Sequence, residues 1–346
     1  MRHFAHAGLA ALIALFGGSA LAQTASFKVI DPAGAQLIAP AAKVETLKNE
    51  FFGFVEGPVW VPEGSDGYLL FSDIPCNCIY KWQSDKLSVF MEKSGFTGTD
   101  PSGSGAEINN GRIEVIILGS NGLTLDTQGR LLIAQHGDRK LMRREKDGTM
   151  SVVADRFEGK RFNSPNDVVV KSDGAIYFTD PMFGLRKLDA DPAKELPDHG
   201  VYLVKDGKIT KLEKDPQGAL PNGIAFSPDE KTLYLTAARK LVAYDVQKDD
   251  TIAKPRVIFD YDKYTKDDGQ FDGIRVDAKG NIWGVGPGGI WAISPAGKPL
   301  VQVLTPEGPA NLAFGDADGK GLYITARRGL YKIRTEVAGN RMTPKK

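Results

Sequence analysis

From residue 56 onward the chain alternates apolar and polar positions in short runs, and the runs come in pairs. Glu56-Gly57-Pro58-Val59-Trp60 leads to Gly67-Tyr68-Leu69-Leu70-Phe71-Ser72-Asp73. Asn121-Gly122-Leu123-Thr124-Leu125-Asp126 leads to Gly129-Arg130-Leu131-Leu132-Ile133-Ala134, and Asn166-Asp167-Val168-Val169-Val170 to Gly174-Ala175-Ile176-Tyr177-Phe178-Thr179-Asp180. The same layout returns from Asn222, Asp272 and Asn311. Each unit reads as a strand, a polar D-x-x-G-like turn and a second strand rich in β-branched and aromatic residues. Further short strands follow most units, as at Ile79–Trp82 or Val201–Val204 before Lys208–Thr210. The unit starts lie 39 to 65 residues apart, enough chain for four strands each. Six such units predict an all-β fold, a six-bladed β-propeller, as a single domain over 23–346. No helical stripe is sustained after residue 22, and a β-sandwich leaves six similar units unexplained. The ring is expected to close by adding Lys43–Leu47 to the last blade, whose final strand is Leu330–Ile333.

Two stretches break the period. Ser94–Arg112 is rich in Gly, Ser, Thr, Pro and Asn, and Pro181–Gly200 holds three prolines among mixed charges. Both read as long loops, either plain surface excursions or a rim over a substrate. The N-terminus follows another logic. Arg2 is followed by an apolar run from Ala7 to Phe16 and by Ala20-Leu21-Ala22. That is the layout of a secretory signal peptide over 1–22, so export, with a bacterial periplasm as the address, is expected. The run is too short for a membrane anchor, and no membrane association is expected after cleavage. Charge adds an exclusion: 44 Lys+Arg balance 43 Asp+Glu, which argues against a nucleic-acid binder. The two cysteines, Cys76 and Cys78, read as a local disulfide or a pair of free thiols, ahead of a functional redox pair.

The chemistry sits at the unit starts. Glu56, Asn121, Asn166, Asn222, Asp272 and Asn311 occupy the same place in each repeat, and all are carboxylate or amide residues. Equivalent positions in a propeller lie at equal distances from its axis, so the six are expected to converge on the channel mouth. Turn formation accounts for Asn-Gly but poorly for Glu56-Gly57-Pro58. Two carboxylates confined together repel, and a divalent cation removes that problem. Every candidate donor is a hard oxygen, which suits Ca2+ first, with Mg2+, Mn2+ or Zn2+ as alternatives. No G-x-S-x-G elbow points to a serine hydrolase.

Several motifs together resemble the SMP-30/gluconolactonase/luciferin-regenerating-enzyme family: Glu56-Gly57-Pro58-Val59-Trp60, Ser120–Asp126, Gln135–Arg139, Phe162–Asp167, Pro221–Asp229 and Asp272–Asp277. The resemblance runs from about Phe51 to Ile333 and implies a six-bladed propeller with one catalytic divalent metal. It implies metal ligands at Glu56, Asn166, Asn222 and Asp272, and substrate contacts at Asn121, Asn166 and Asp167. It implies hydrolysis of a sugar lactone such as glucono-1,5-lactone to the aldonic acid, with Asp272 or the metal activating water. His136 is the other candidate base, set against a purely structural histidine. A broader esterase or phosphotriesterase, or a non-enzymatic ligand-binding propeller, are the rival readings. Cys76-Asn77-Cys78 and the long Ser94–Arg112 stretch depart from the family pattern. The expected partner is a small-molecule lactone, and a closed ring makes a monomer the default.

Overall fold

The structure, a computed structural model, describes residues 26–340. The expected export segment 1–22 lies outside these residues. Six antiparallel sheets form a six-bladed β-propeller. Blade 1 holds Val55–Glu63, Asp66–Asp73, Cys78–Gln83 and Lys86–Glu92. Blade 2 holds Ser120–Leu125, Leu131–Gln135, Lys140–Arg144 and Met150–Ala154. Blade 3 holds Val168–Val170, Ile176–Asp180, Gly200–Lys205 and Lys208–Lys214. Blade 4 holds Pro221–Phe226, Thr232–Ala237, Lys240–Val246 and Ile252–Asp260. Blade 5 holds Ile274–Val276, Ile282–Gly286, Gly289–Ile293 and Pro299–Val303. Blade 6 holds Asn311–Gly315, Gly321–Ala326 and Gly329–Arg334, completed by Glu45–Lys48 from the N-terminal side. The first strand of each blade touches the first strands of both neighbours, so these six strands line the central channel.

Local chemistry explains the repeated hairpin. In blade 2, Asp126 Oδ1 accepts the amides of Gln128 and Arg130, and Gly129 turns the chain with φ of 75°. A side chain there would be strained, so D-x-x-G is a turn with a mechanism. Apolar side chains then pack between adjacent sheets. Tyr177 and Leu203 of blade 3 share one buried cluster with Ile224, Leu235 and Val242 of blade 4. Trp283 of blade 5 shares another with Leu312 and Ile324 of blade 6.

Ring closure differs slightly from expectation. The closing strand is Glu45–Lys48 rather than Lys43–Leu47, with Thr46 opposite Tyr331. A fifth strand, Phe27–Val29, also pairs with Val301–Val303 on the outer edge of blade 5. Its three residues are mostly exposed, so it carries no buried pattern that alternation could reveal.

The two irregular stretches meet. Residues between blades 1 and 2 contain a small hairpin, Glu107–Asn109 with Glu114–Ile116. Before it, the amides of Gly105 and Ala106 donate to the carbonyls of Gly184 and Phe183 in the blade 3 excursion, at 2.8 and 2.9 Å. Arg186 pairs with Glu107 across the same junction. Ile74, Ala106 and Ile117, with Phe54, Ile108 and Phe183, form a small apolar cluster beneath it. Both excursions leave the propeller at the face where the first strands begin.

Candidate functional site

The six unit-start residues form one ring around the channel. Asn311 Nδ2 donates to Glu56 Oε2 at 2.9 Å. Asn121 Nδ2 donates to Asn166 Oδ1 at 2.8 Å, and Asn166 Nδ2 to Asn222 Oδ1 at 2.8 Å. The Asn222 amide in turn donates to the Asp272 carboxylate. The repeats thus bring together side chains that lie up to 255 residues apart.

Glycine allows this convergence. A Cβ on Gly57 would stand 2.0 Å from the Asn121 carbonyl oxygen, and one on Gly223 2.3 Å from that of Asp272. A Cβ on Gly273 would strike the Asn311 side chain at 2.1 Å. The glycine after each of these residues therefore permits close approach of neighbouring inner strands, and only Gly57 of the three also needs a positive φ. At Asn222-Gly223 the turn reading is replaced by a packing one.

Hydroxyls on the second strands hold the ring from behind. Ser72 Oγ donates to the Asn121 carbonyl, Thr179 Oγ1 to that of Asn222 and Thr236 Oγ1 to that of Asp272, at 2.8, 2.8 and 3.0 Å. Thr325 Oγ1 binds the Asn311 carbonyl at 3.2 Å. Two aspartates do the same for the strand entries. Asp73 accepts the amides of Gly53 and Phe54 ahead of Glu56, and Asp180 those of Asn163 and Ser164 ahead of Asn166. Sequence reasoning assigned none of these supports. Their signal was present, because Ser72, Thr179, Thr236 and Thr325 recur at one place in the repeat.

Burial sets the electrostatics. Glu56 is 3% exposed, and burial pushes its carboxyl up to about 7 against the Gly57 amide and Asn311 bonds. Asp272 is raised well above the usual carboxylate range by burial and then by the Glu56 and Asp167 charges. Asn222 and Asp272 are the partly exposed members of the pairings above, so the ring opens to solvent on their side. His136 is fully buried, with Nε2 3.2 Å from Asn121 Nδ2 and 3.3 Å from Asn166 Oδ1. Burial holds its imidazole down at about 4, so it is neutral at pH 7. Asp167 lies one residue further along the channel, 1% exposed. It accepts the Val168 amide at 2.9 Å and faces Arg275 Nη1 at 3.4 Å. Burial raises its carboxyl despite the Arg275 charge.

The residues present fit a divalent cation. Among the described residues no three His, Cys, Asp or Glu side chains cluster as a metal site. The ring instead offers two carboxylates and several amide oxygens, a hard-oxygen set. No hydrogen bond from the described residues reaches Glu56 Oε1. The carbonyl oxygen of Asn222 keeps a second lone pair beyond the Asn166 amide it accepts, whereas that of Asn166 is shared between the Asn121 amide and His136 Nε2. The Glu56 charge raises the proton affinity of Asp272, a repulsion that a bound cation would relieve. Cys76 and Cys78 are joined as a disulfide at the hairpin tip of blade 1, outside the ring.

Comparison with known proteins places this geometry. The family described as "SMP-30/Gluconolactonase/LRE-like region" matches residues 54–328. The chain is 35% identical to a gluconolactonase of Zymomonas mobilis over 82% of its own length and 79% of that protein. It is 26% identical to regucalcin of Xenopus laevis, over 82% of this chain and 86% of the other. A solved gluconolactonase from Xanthomonas campestris superposes with a TM-score of 0.74 at 28% identity, covering 90% of this chain and 96% of that one. Matched over most of its length in sequence and in fold, the chain belongs to the SMP-30/gluconolactonase/LRE-like family.

Proposed function

We propose that this chain is a lactone hydrolase that opens a sugar lactone of the glucono-1,5-lactone class to the aldonic acid, using one divalent cation held at the ring. The observation that carries this reading is the convergence of Glu56 and Asp272 with Asn166 and Asn222 on one channel mouth. The gluconolactonase relatives support the substrate class. Glu56, Asn166, Asn222 and Asp272 are the residues that hold the cation, and Ca2+ suits their oxygens best. When bound, it supplies Lewis-acid polarisation of the lactone carbonyl and stabilises the developing oxyanion.

The chain's own residues do the rest. Asp272, at the solvent-open side of the ring, accepts a proton from the attacking water. The hydroxide adds to the carbonyl carbon, the ring C–O bond breaks, and the leaving alkoxide takes back from Asp272 the proton that the water gave up. Asn121 Oδ1 accepts no hydrogen bond from the described residues and is the acceptor for a substrate hydroxyl. Neutral His136 holds one of the two amides from the buried side, its Nε2 accepting from Asn121 or donating to Asn166 according to its tautomer, a positioning role. Asp167 is tied to Val168 and Arg275, which keeps the strand bearing Asn166 in place. Export over residues 1–22 and a monomeric state belong to the same reading; the Cys76–Cys78 disulfide supports the first and the closed ring the second.

Hydrolysis of glucono-1,5-lactone in a pH-stat, corrected for the spontaneous reaction, tests the proposal. Turnover lost with EDTA and restored with Ca2+ is the expected result. Turnover of aryl esters or phosphotriesters in the absence of any lactone turnover contradicts it.

A further inference from the structure

Past the ring, the six inner strands run on to the opposite end of the channel and line an open-mouthed cavity of about 420 Å³. Its walls are aliphatic, with Val59, Leu123, Val169, Ile224 and Ala313 from five different blades. Arg275 lines it as well and is, among the described residues, its one cationic side chain. The guanidinium uses only Nη1 on protein: a 2.6 Å bond to the Ile274 carbonyl and the 3.4 Å contact with Asp167. Its Nε and Nη2 make no hydrogen bond with the described residues. The two carboxylates at the rim are already partnered, Asp126 with Arg130 and Glu230 with Ser172.

This combination has a chemical reading. Water is held poorly by an aliphatic wall, and a guanidinium with unshared donors favours a planar anion that can take two parallel N–H bonds. A molecule carrying a carboxylate on a hydrocarbon stem meets both conditions at once. The volume falls within the range of small-molecule sites, about 300–1,000 Å³, and holds a single such ligand. We propose that this end of the channel binds one medium-chain aliphatic carboxylate, its head on Arg275 and its stem along the inner strands. The site lies across Asp167 from the ring and is separate from the lactone site, so it stands or falls independently of the proposed hydrolysis.

Calorimetric titration of the full-length protein with decanoate tests this, with decanol as the uncharged analogue. Decanoate is expected to bind one per chain, about tenfold or more tighter than decanol, the difference being the charge-assisted contact. Arg275→Gln is expected to bring decanoate down to the decanol level. Val59→Phe, which fills the cavity and leaves Arg275 in place, is expected to abolish binding of both. Excess gluconate is expected to displace neither. No binding at any soluble decanoate concentration overturns the proposal, as does equal binding of decanoate and decanol. Binding that survives both substitutions, or displacement by gluconate, overturns it too. Should Arg275→Gln fail to fold, the decanol comparison and Val59→Phe still decide.

Discussion

At the residue scale, the ring depends on side chains that are not among its proposed cation ligands. Asn311 donates to Glu56 Oε2 and accepts the Leu312 amide, so it aims Glu56 into the channel. Asn311→Ala is expected to weaken Ca2+ binding by about tenfold or more, as loss of a bond behind a ligand usually does. Calorimetric Ca2+ titration of a variant with unchanged circular dichroism measures it. Glu56 also gives the metal-free protein a pH signature. Its folded-state value, about 7, stands above the ordinary 4.5. The stability it contributes is therefore present below pH 4.5 and is lost as pH rises through 7. Thermal midpoints in EDTA are expected to fall between pH 5 and 8, less so in Glu56→Gln, which stays neutral throughout. A drop of equal size in both proteins would falsify the assignment. The six ring positions were legible in the sequence because one chemical type recurs at one place in each repeat. The holding role of Asn311 was not legible. Nothing in its own repeat tells which neighbour it will touch 255 residues away.

At the scale of elements, close packing of the inner strands does the positioning. A methyl group at Gly273 would overlap the Asn311 side chain. Gly273→Ala is expected to lower lactone turnover severalfold at saturating Ca2+ and to lower the thermal midpoint, since the Asn311 side chain it would push aside is the one that holds Glu56. A rate and midpoint equal to the unsubstituted protein's contradict the packing account. The excursion after blade 1 has its own anchor in Asn77, inside the disulfide loop. Asn77 Oδ1 accepts the amides of Gly95 and Phe96, and its Nδ2 donates to the Phe96 carbonyl at 2.7 Å. Asn77→Ala removes all three bonds and is expected to speed hydrogen exchange in residues 94–119 while leaving the blades protected. Exchange unchanged there contradicts the anchor. Alternation predicted the hairpins well, because one face of each strand is buried against the next blade. It located Ser94–Arg112 and Pro181–Gly200 as irregular but not as joined. Their meeting at Gly105–Gly184 is a contact between distant non-repeating segments, which leaves no periodic mark in the sequence.

At the scale of the whole molecule, the propeller is a way of bringing six distant positions to one axis. Closure by Glu45–Lys48 on blade 6 locks the ring, and the hydroxyls of Ser72, Thr179, Thr236 and Thr325 tie the second strands of four blades to the ring's backbone. The channel is then divided by the Asp167–Arg275 contact into a polar mouth and an aliphatic lower end. The proposed function rests on the polar mouth alone, where Glu56 and Asp272 would share one cation. The most direct test titrates Ca2+ into metal-free protein and follows bound ion and glucono-1,5-lactone turnover in the same samples. Turnover is expected to rise in proportion to occupancy and to level off at one ion per chain, with Asp272→Asn reduced by about a hundredfold or more at full occupancy. Full turnover by the metal-free chain, or none with the ring occupied, contradicts the account.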